Sequence, residues 1–187
     1  METTIKQSLL AGILVGIGVV ANATSPNKYM GAFLFSVALL AIVRCEMQLY
    51  TGKIGYYKQY KKLSLGVMLL FNIIGSAIPT ILIAICRKDL YKLFLHISEV
   101  KFANPIWVLL IYGFMCGILM LVAVHSKNEF IIILCIMVFI LSGYEHCIAD
   151  SIYIIVNFSG MNFLKFLSVV IGNTFGAILA RQLMVNE

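Results

Sequence analysis

Long apolar stretches separated by short polar connections make up most of the chain. A membrane-spanning helix needs ~20 mostly apolar residues. Six stretches predict such helices: Leu9–Ala23, Met30–Val43, Leu65–Cys86, Ile106–Val124, Phe130–Val156 and Phe166–Leu183. The spans occupy most of the 187 residues. The pattern therefore predicts an all-α integral membrane protein with one transmembrane domain over residues 1–187.

The composition excludes the common soluble classes. Hydrophobic residues make up 61% of the chain and charged residues only 12%. A water-soluble fold of this size cannot bury so much apolar surface. Soluble enzymes, nucleic-acid-binding proteins and disordered adaptors are thereby excluded. The net charge of +6 comes from residues in short connections, where they act as topology signals and contact lipid headgroups.

The chain contains an internal repeat. Four residue pairs are separated by 101 positions: Gly12 and Gly113, Gly16 and Gly117, Asn72 and Asn173, and Gly75 and Gly176. Small residues spaced by four are common where membrane helices pack closely, but four matches at one offset indicate a repeat. A three-span unit returns its second copy in the opposite orientation. The expected architecture is an inverted 3+3 repeat, with halves near 1–90 and 100–187, which favours a channel or transporter.

The first apolar stretch has a second interpretation. Lys6, an apolar run and then Ala21-Asn22-Ala23 imitate a secretory signal with a small-residue cleavage site. The repeat favours a retained span, because this segment is matched in the second half.

Polar residues interrupt the second and fifth spans. The second continues into Arg44–Gln48, and the fifth contains Ser142–Ser151 with a glutamate, a histidine and an aspartate. Ionisable groups at membrane depth normally face protein or a water-filled path. Two broken spans at matching places in two halves predict a conduction site.

At these interruptions the sequence resembles the formate/nitrite transporter family of pentameric anion channels. Gly143–Asp150 is similar to the family's Gly-Phe-Glu-His-Ser-x-Ala-Asn, and Leu49–Gly52 resembles its Leu-Phe-Thr-Gly. Gly172-Asn173-x-x-Gly176 resembles the last-span motif, and Lys101 lies sixteen residues before Gly117, as a family lysine does.

The resemblance implies an aquaporin-like protomer, a pore through each protomer and a homopentamer. It places His146 at the pore centre, Thr51 beside it and Lys101 at the vestibule. The implied constrictions are Phe35, Leu39, Tyr50 and Phe139.

This sequence departs from the family at three polar positions. Gly117 stands where the family has an asparagine, Gln48 replaces a loop acid, and Asp150 replaces an asparagine. The first departure implies that one polar pore donor is missing. Asp150 lies four residues after His146, on the same face if the segment is helical, and is expected to stabilise a protonated imidazole.

Other polar residues at the interruptions are predicted to be pore-adjacent or structural. Glu145 is expected to accept backbone N–H groups freed by the broken helix. Three roles are open for Arg44. It hydrogen-bonds the backbone of the loop, pairs with a neighbouring side chain or attracts anions at the cytoplasmic mouth. The remaining members of this group are Asn72 and Asn173.

The resemblance implies transport of a small monovalent weak acid, with formate or nitrite ahead of hydrosulfide. Lys101 would attract the anion, a proton would be acquired near a constriction or His146, and the neutral acid would cross. Protons and the bilayer are then the other partners. Two alternatives stay open: an aquaporin-like pore for a neutral solute, and a non-conducting membrane scaffold.

No enzymatic, metal or cofactor chemistry is predicted. The sequence has neither His-Glu-x-x-His nor Gly-x-Ser-x-Gly, and its five cysteines are dispersed, so no disulfide or metal motif follows.

The predicted location is the plasma (inner) membrane. A lysine cluster after the second span suggests a cytoplasmic loop, and the family orientation places both termini in the cytoplasm. The cluster comprises Lys53, Lys58, Lys61 and Lys62.

Overall fold

The protein is a bundle of helices in the computed structural model, which describes residues 2–184. In chain order the helices are α1 (Glu2–Thr24), α2 (Lys28–Arg44), α3 (Tyr50–Lys53), a 3-10 segment (Ile54–Gln59), α4 (Lys62–Cys86), α5 (Lys88–Ala103), α6 (Ile106–Ser126), α7 (Glu129–Leu141), α8 (Cys147–Val156) and α9 (Gly160–Met184). Within the described residues, α1, α4, α6 and α9 are each long and apolar enough to span a bilayer.

Two closely packed helix pairs, α1 with α4 and α6 with α9, form the frame of the bundle. Glycines set how closely these helices approach. A Cβ atom on Gly12 would lie 2.2 Å from the Asn72 backbone oxygen, and one on Gly117 would lie 2.3 Å from the Asn173 backbone oxygen. Only a residue without a side chain allows the backbones to come this near.

These contacts correct the predicted register of the repeat. Gly12 meets the Asn72 carbonyl in one pair and Gly117 meets the Asn173 carbonyl in the other. Gly12 is thus the counterpart of Gly117, at an offset of 117 − 12 = 105. The pairing of Gly12 with Gly113 is wrong by four residues, about one helical turn. A motif that repeats every four residues cannot distinguish the two registers.

Two breaks interrupt the remaining apolar segments. The first break, Cys45–Leu49, separates α2 from α3; the second break, Ser142–His146, separates α7 from α8. Both lie at the polar runs where the sequence predicted interruptions of the second and fifth spans.

The two breaks share one backbone design. The second residue of each lies in the left-handed region, Glu46 (φ 52°) in one and Gly143 (φ 70°) in the other. In each, an N–H group donates to a carbonyl five residues earlier, from Met47 to Ile42 at 2.9 Å and from Tyr144 to Phe139 at 3.0 Å. This is the Schellman ending of a helix. It provides hydrogen-bond donors for the last carbonyls of the helix, which lipid could not provide.

Helix α5 connects α4 to α6 and lies against α8. Its buried side chains recur every four residues, at Leu90, Phe94, Ser98 and Phe102. Ser98 Oγ donates to the Tyr153 carbonyl at 2.8 Å. This amphipathic face brings the end of α5, including Lys101, beside the second break.

Candidate functional site

The two breaks meet at the centre of the protein. Thr51 Oγ1, on α3, lies 2.9 Å from His146 Nε2, at the end of the second break. Thr51 is 0% exposed and His146 3% exposed. The structure therefore brings together the two residues that the resemblance implied at a pore centre.

Asn72 holds the first break in place. Its Nδ2 donates to the carbonyls of Ser8 (2.8 Å) and Gln48 (2.9 Å), and its Oδ1 accepts the N–H of Tyr50 at 2.8 Å. One buried amide thus joins α1, the break and the start of α3.

Asn173 does the same for the second break. Its Nδ2 donates to the carbonyls of Gly113 (2.7 Å) and Glu145 (2.8 Å), and its Oδ1 accepts the N–H of Cys147 at 2.9 Å. Buried backbone groups must find partners where water is absent, and these asparagines supply them at both breaks.

The imidazole of His146 caps helix α8. Its Nδ1 accepts the Ala149 backbone N–H at 3.2 Å. A backbone N–H can only donate, so Nδ1 carries no proton and the neutral ring holds its proton on Nε2. Nε2 then donates to Thr51 Oγ1. Protonation of Nδ1 would remove the cap, so this geometry holds the imidazole neutral.

A cavity of about 200 Å³ lies on one side of His146. We call it the vestibule; its lining includes Phe35, Lys101, Phe139, His146 and Asp150. The rings of Phe35 and Phe139 meet edge to face at 5.7 Å, and the Phe139 ring lies 5.9 Å from that of His146. Two of the predicted constriction residues are therefore in contact at this cavity.

A second cavity of about 350 Å³ lies beside the first break. Its lining includes Gln48 and three basic residues, Arg44, Lys53 and Lys127. Arg44 pairs with Glu129 at 3.4 Å, and both side chains are largely exposed. Of the alternatives expected for Arg44, the structure shows pairing with a neighbour.

Leu39 and Tyr50, the other predicted constriction residues, are buried in the core. Neither lines the two cavities described above. The Tyr50 hydroxyl lies 2.9 Å from Thr174 Oγ1 on α9, a contact that the resemblance did not predict and that fixes the tyrosine ring.

Lys101 lies between two carboxylates. Its Nζ contacts Glu145 Oε2 and lies 3.2 Å from Asp150 Oδ1. The expectation that the Glu145 side chain accepts backbone N–H groups is wrong, since Glu145 binds Lys101 instead. The expected pairing of Asp150 with His146 is also wrong, because Asp150 turns to Lys101 while the ring bonds Thr51 and Ala149.

Gly117 is not the site of a lost pore donor. Its face of α6 is filled by the Asn173 backbone, which leaves no room for any side chain. The neighbouring Cys116 is fully buried and lies within electrostatic range of Glu145 and Asp150.

Metal sites and disulfides each require particular side chains to lie close together. Among residues 2–184, no group of three metal-ligating side chains occurs, and the cysteines in this range are free.

A family model for formate/nitrite transporters matches residues 1–185. The chain belongs to the formate/nitrite transporter family. The resemblance seen in the motifs is thereby confirmed, and the protein is a multi-pass membrane protein of a channel and transporter family.

A curated relative and two solved structures are also similar to this chain. An uncharacterized transporter, YwcJ of Bacillus subtilis (strain 168), is 28% identical over 178 residues, which cover 78% of this chain and 70% of the relative. Among solved structures, an FNT family ion channel matches with a TM-score of 0.72 at 19% identity, covering 94% of this chain and 85% of its own. A pentameric formate channel with formate bound matches with the same score and identity, covering 96% and 92%. These structures show the fold.

Proposed function

We propose that the protein conducts small monovalent weak acids across the membrane, with formate and nitrite ahead of hydrosulfide. The observation that carries this is the buried contact between Thr51 and His146, with a cavity on the vestibule side and another beside the first break. Broken helices that place polar groups at membrane depth are a feature of conduction sites.

The proposed path crosses the bilayer between two halves. We infer that α2 with α3, and α7 with α8, each cross as one broken span, so that the chain crosses six times as an inverted 3+3 repeat. The matching amide bonds of Asn72 and Asn173 support this inference. The cytoplasmic placement of both termini in an inner membrane belongs to the same proposal.

A bare anion is very costly between the rings of Phe35 and Phe139. The proposed species at this constriction is therefore the neutral acid, which acquires its proton in the vestibule. His146 then contacts the permeant molecule through Nε2–H, which it otherwise shares with Thr51. Chloride and nitrate lack this route because their conjugate acids are too strong.

A homopentamer is the proposed assembly. Its support is the fold shared with a pentameric formate channel and an outer surface rich in exposed apolar side chains such as Leu63, Trp107 and Phe158. Native mass spectrometry of the purified protein tests it, and a monomer or tetramer would contradict it.

One observation favours a second candidate, a pore for a small neutral solute. The two carboxylates beside Lys101 offset the charge that would attract an anion. Stopped-flow swelling of proteoliposomes in sodium formate, sodium nitrite, sodium hydrosulfide, urea and glycerol separates the candidates, with sodium chloride as control. Swelling in the weak-acid salts supports the anion channel, while swelling in urea or glycerol alone supports the neutral pore.

A further inference from the structure

We propose that Glu145 and Asp150 together bind one proton beside Lys101, and that this proton sets the charge of the vestibule. The inference rests on the proposed anion pathway for its effect on transport. The proton site itself follows from the contacts of the three side chains.

The three charged groups form one buried cluster. Both carboxylates contact the same ammonium nitrogen, so their oxygens are held next to each other. The Lys101 side chain is 26% exposed and the two acidic side chains only 5% exposed. Lys101 Nζ also lies 5.4 Å from the centre of the Tyr153 ring, which keeps water from that side.

The charges of the cluster do not balance. One ammonium and two carboxylates carry a net charge of −1, and an uncompensated charge at a buried site is strongly unfavourable. Two carboxylates that share one site also oppose each other's ionisation. One bound proton removes both problems and leaves the cluster neutral.

One oxygen is free to carry that proton. Among the described residues, Asp150 Oδ2 is buried and has no hydrogen-bond partner, whereas Oδ1 faces Lys101. A carboxylate oxygen left bare in a membrane interior is costly, while a protonated Oδ2 presents an O–H group. Since Asp150 lines the vestibule, its protonation changes the charge of the vestibule wall.

Among the described residues, Lys101 is the cationic side chain that forms an ion pair with Asp150. His146 is committed to Thr51 and Ala149, and Lys165 on α9 donates to the Phe102 carbonyl at 2.6 Å. The titratable groups that face the cluster in the described chain are otherwise the uncharged side chains of Cys116, Cys147 and Tyr153.

The proton controls whether an anion can enter. With the proton bound, the cluster in the vestibule wall is neutral, and the partly exposed Lys101 can attract an incoming anion. Without it, the wall carries −1 directly on the path to His146 and repels the anion. Flux should therefore fall as the pH rises through the titration of the cluster, beyond the fall expected from the permeant acid alone.

The decisive variant is Asp150→Asn, which keeps the shape and makes the cluster neutral at every pH. Formate flux is measured in proteoliposomes over a pH series, with the same pH on both sides. At the alkaline end we expect flux of the variant to exceed that of the parent by about tenfold or more. Glu145→Gln should have the same effect, because the proton belongs to the pair. Asp89→Asn, which removes an exposed carboxylate on the same connecting helix, is the matched control and should follow the parent.

An infrared titration tests the proton without relying on transport. The parent and Asp89→Asn should show the C=O band of a protonated carboxyl group near neutral pH that disappears at alkaline pH, and Asp150→Asn should lack it. Absence of this band in the folded parent overturns the inference, as does an unchanged pH profile in Asp150→Asn when the parent transports. A parent that shows the band but passes no formate contradicts the proposed function alone.

Discussion

The first and second breaks have the same backbone and different chemistry. Both end a helix with a left-handed residue and a bond across five residues, and both are held by an asparagine from the following long helix. Yet the second break carries Glu145, His146 and, one turn into α8, Asp150, while the first contributes Thr51 as its polar group at the centre. The backbone geometry and the asparagine hydrogen bonds occur at both breaks, whereas the ionisable side chains at the centre belong to the second break alone.

The largest expected effect comes from removing the shared asparagines. Asn72→Ala and Asn173→Ala each abolish three buried hydrogen bonds and orphan backbone groups, at a cost of roughly 3–5 kcal/mol. Because the bond sets match, the two losses should be similar. Thermal unfolding in detergent measures them, and Asn104→Ala, which loses one local bond to the Lys101 carbonyl, is the control. A large loss at only one site would show that the breaks are not held equivalently.

Substitution of His146 separates its role as the N-cap of α8 from its proposed contact with the permeant molecule. Asn caps a helix well, so His146→Asn should keep α8 in place while removing the Nε2 contact with Thr51. Loss of one hydrogen bond to the permeant species should lower formate flux by about tenfold. The unfolding temperature serves as the control. Parent-like flux in a folded His146→Asn protein would exclude the imidazole from the path.

The left-handed positions test whether the two backbones are equally strained. Gly143→Ala faces open space, so its cost is purely conformational and should be about 1–2 kcal/mol. Glu46 already occupies this region with a side chain, so Glu46→Gly should stabilise by about 1 kcal/mol. Thermal unfolding shows whether each variant is more or less stable than the parent. Destabilisation by Glu46→Gly would mean that the glutamate side chain contributes more than its backbone costs.

The smallest effect is expected at the residue that begins each break. Cys45 and Ser142 occupy the same position, directly after α2 and α7. Cys45→Ser, alone or with Cys86→Ser, should leave flux and oligomer mass unchanged, because both cysteines are exposed and free. Altered assembly in the double variant, judged by native mass spectrometry, would reveal a role for these thiols.

Local pattern was enough to predict the long apolar helices and both breaks, but it missed α5, a helix in a stretch that the sequence analysis left as a connection. Apolar length indicated the spans, and the polar runs at Arg44 and Ser142 marked the interruptions where the structure has them. The 101-residue offset correctly paired Asn72 with Asn173, since each makes the same three bonds. It failed for Gly12, because a glycine pattern repeated every four residues fits two registers a turn apart.

The ion-pair partners of charged residues could not be predicted from the pattern of neighbouring residues in the sequence. Lys101 and Glu145 are 44 positions apart, and their contact depends on where α5 lies against α8. The assumption of continuous helix geometry also misled: it placed Asp150 on the same face as His146, but His146 precedes the first turn of α8 as its cap. Its side chain therefore folds back onto the helix end, and Asp150 faces Lys101.

The amide bonds of the two asparagines have a consequence for biosynthesis. Asn72 bonds only to groups between Ser8 and Tyr50, and Asn173 only to groups between Gly113 and Cys147. Each half can therefore close its own break as soon as its third long helix has left the ribosome. The Thr51–His146 contact forms only when the halves dock. A nascent chain that stops after α4 thus holds the first break in its final arrangement, whereas the proposed conducting centre forms only once α8 has been made and docked.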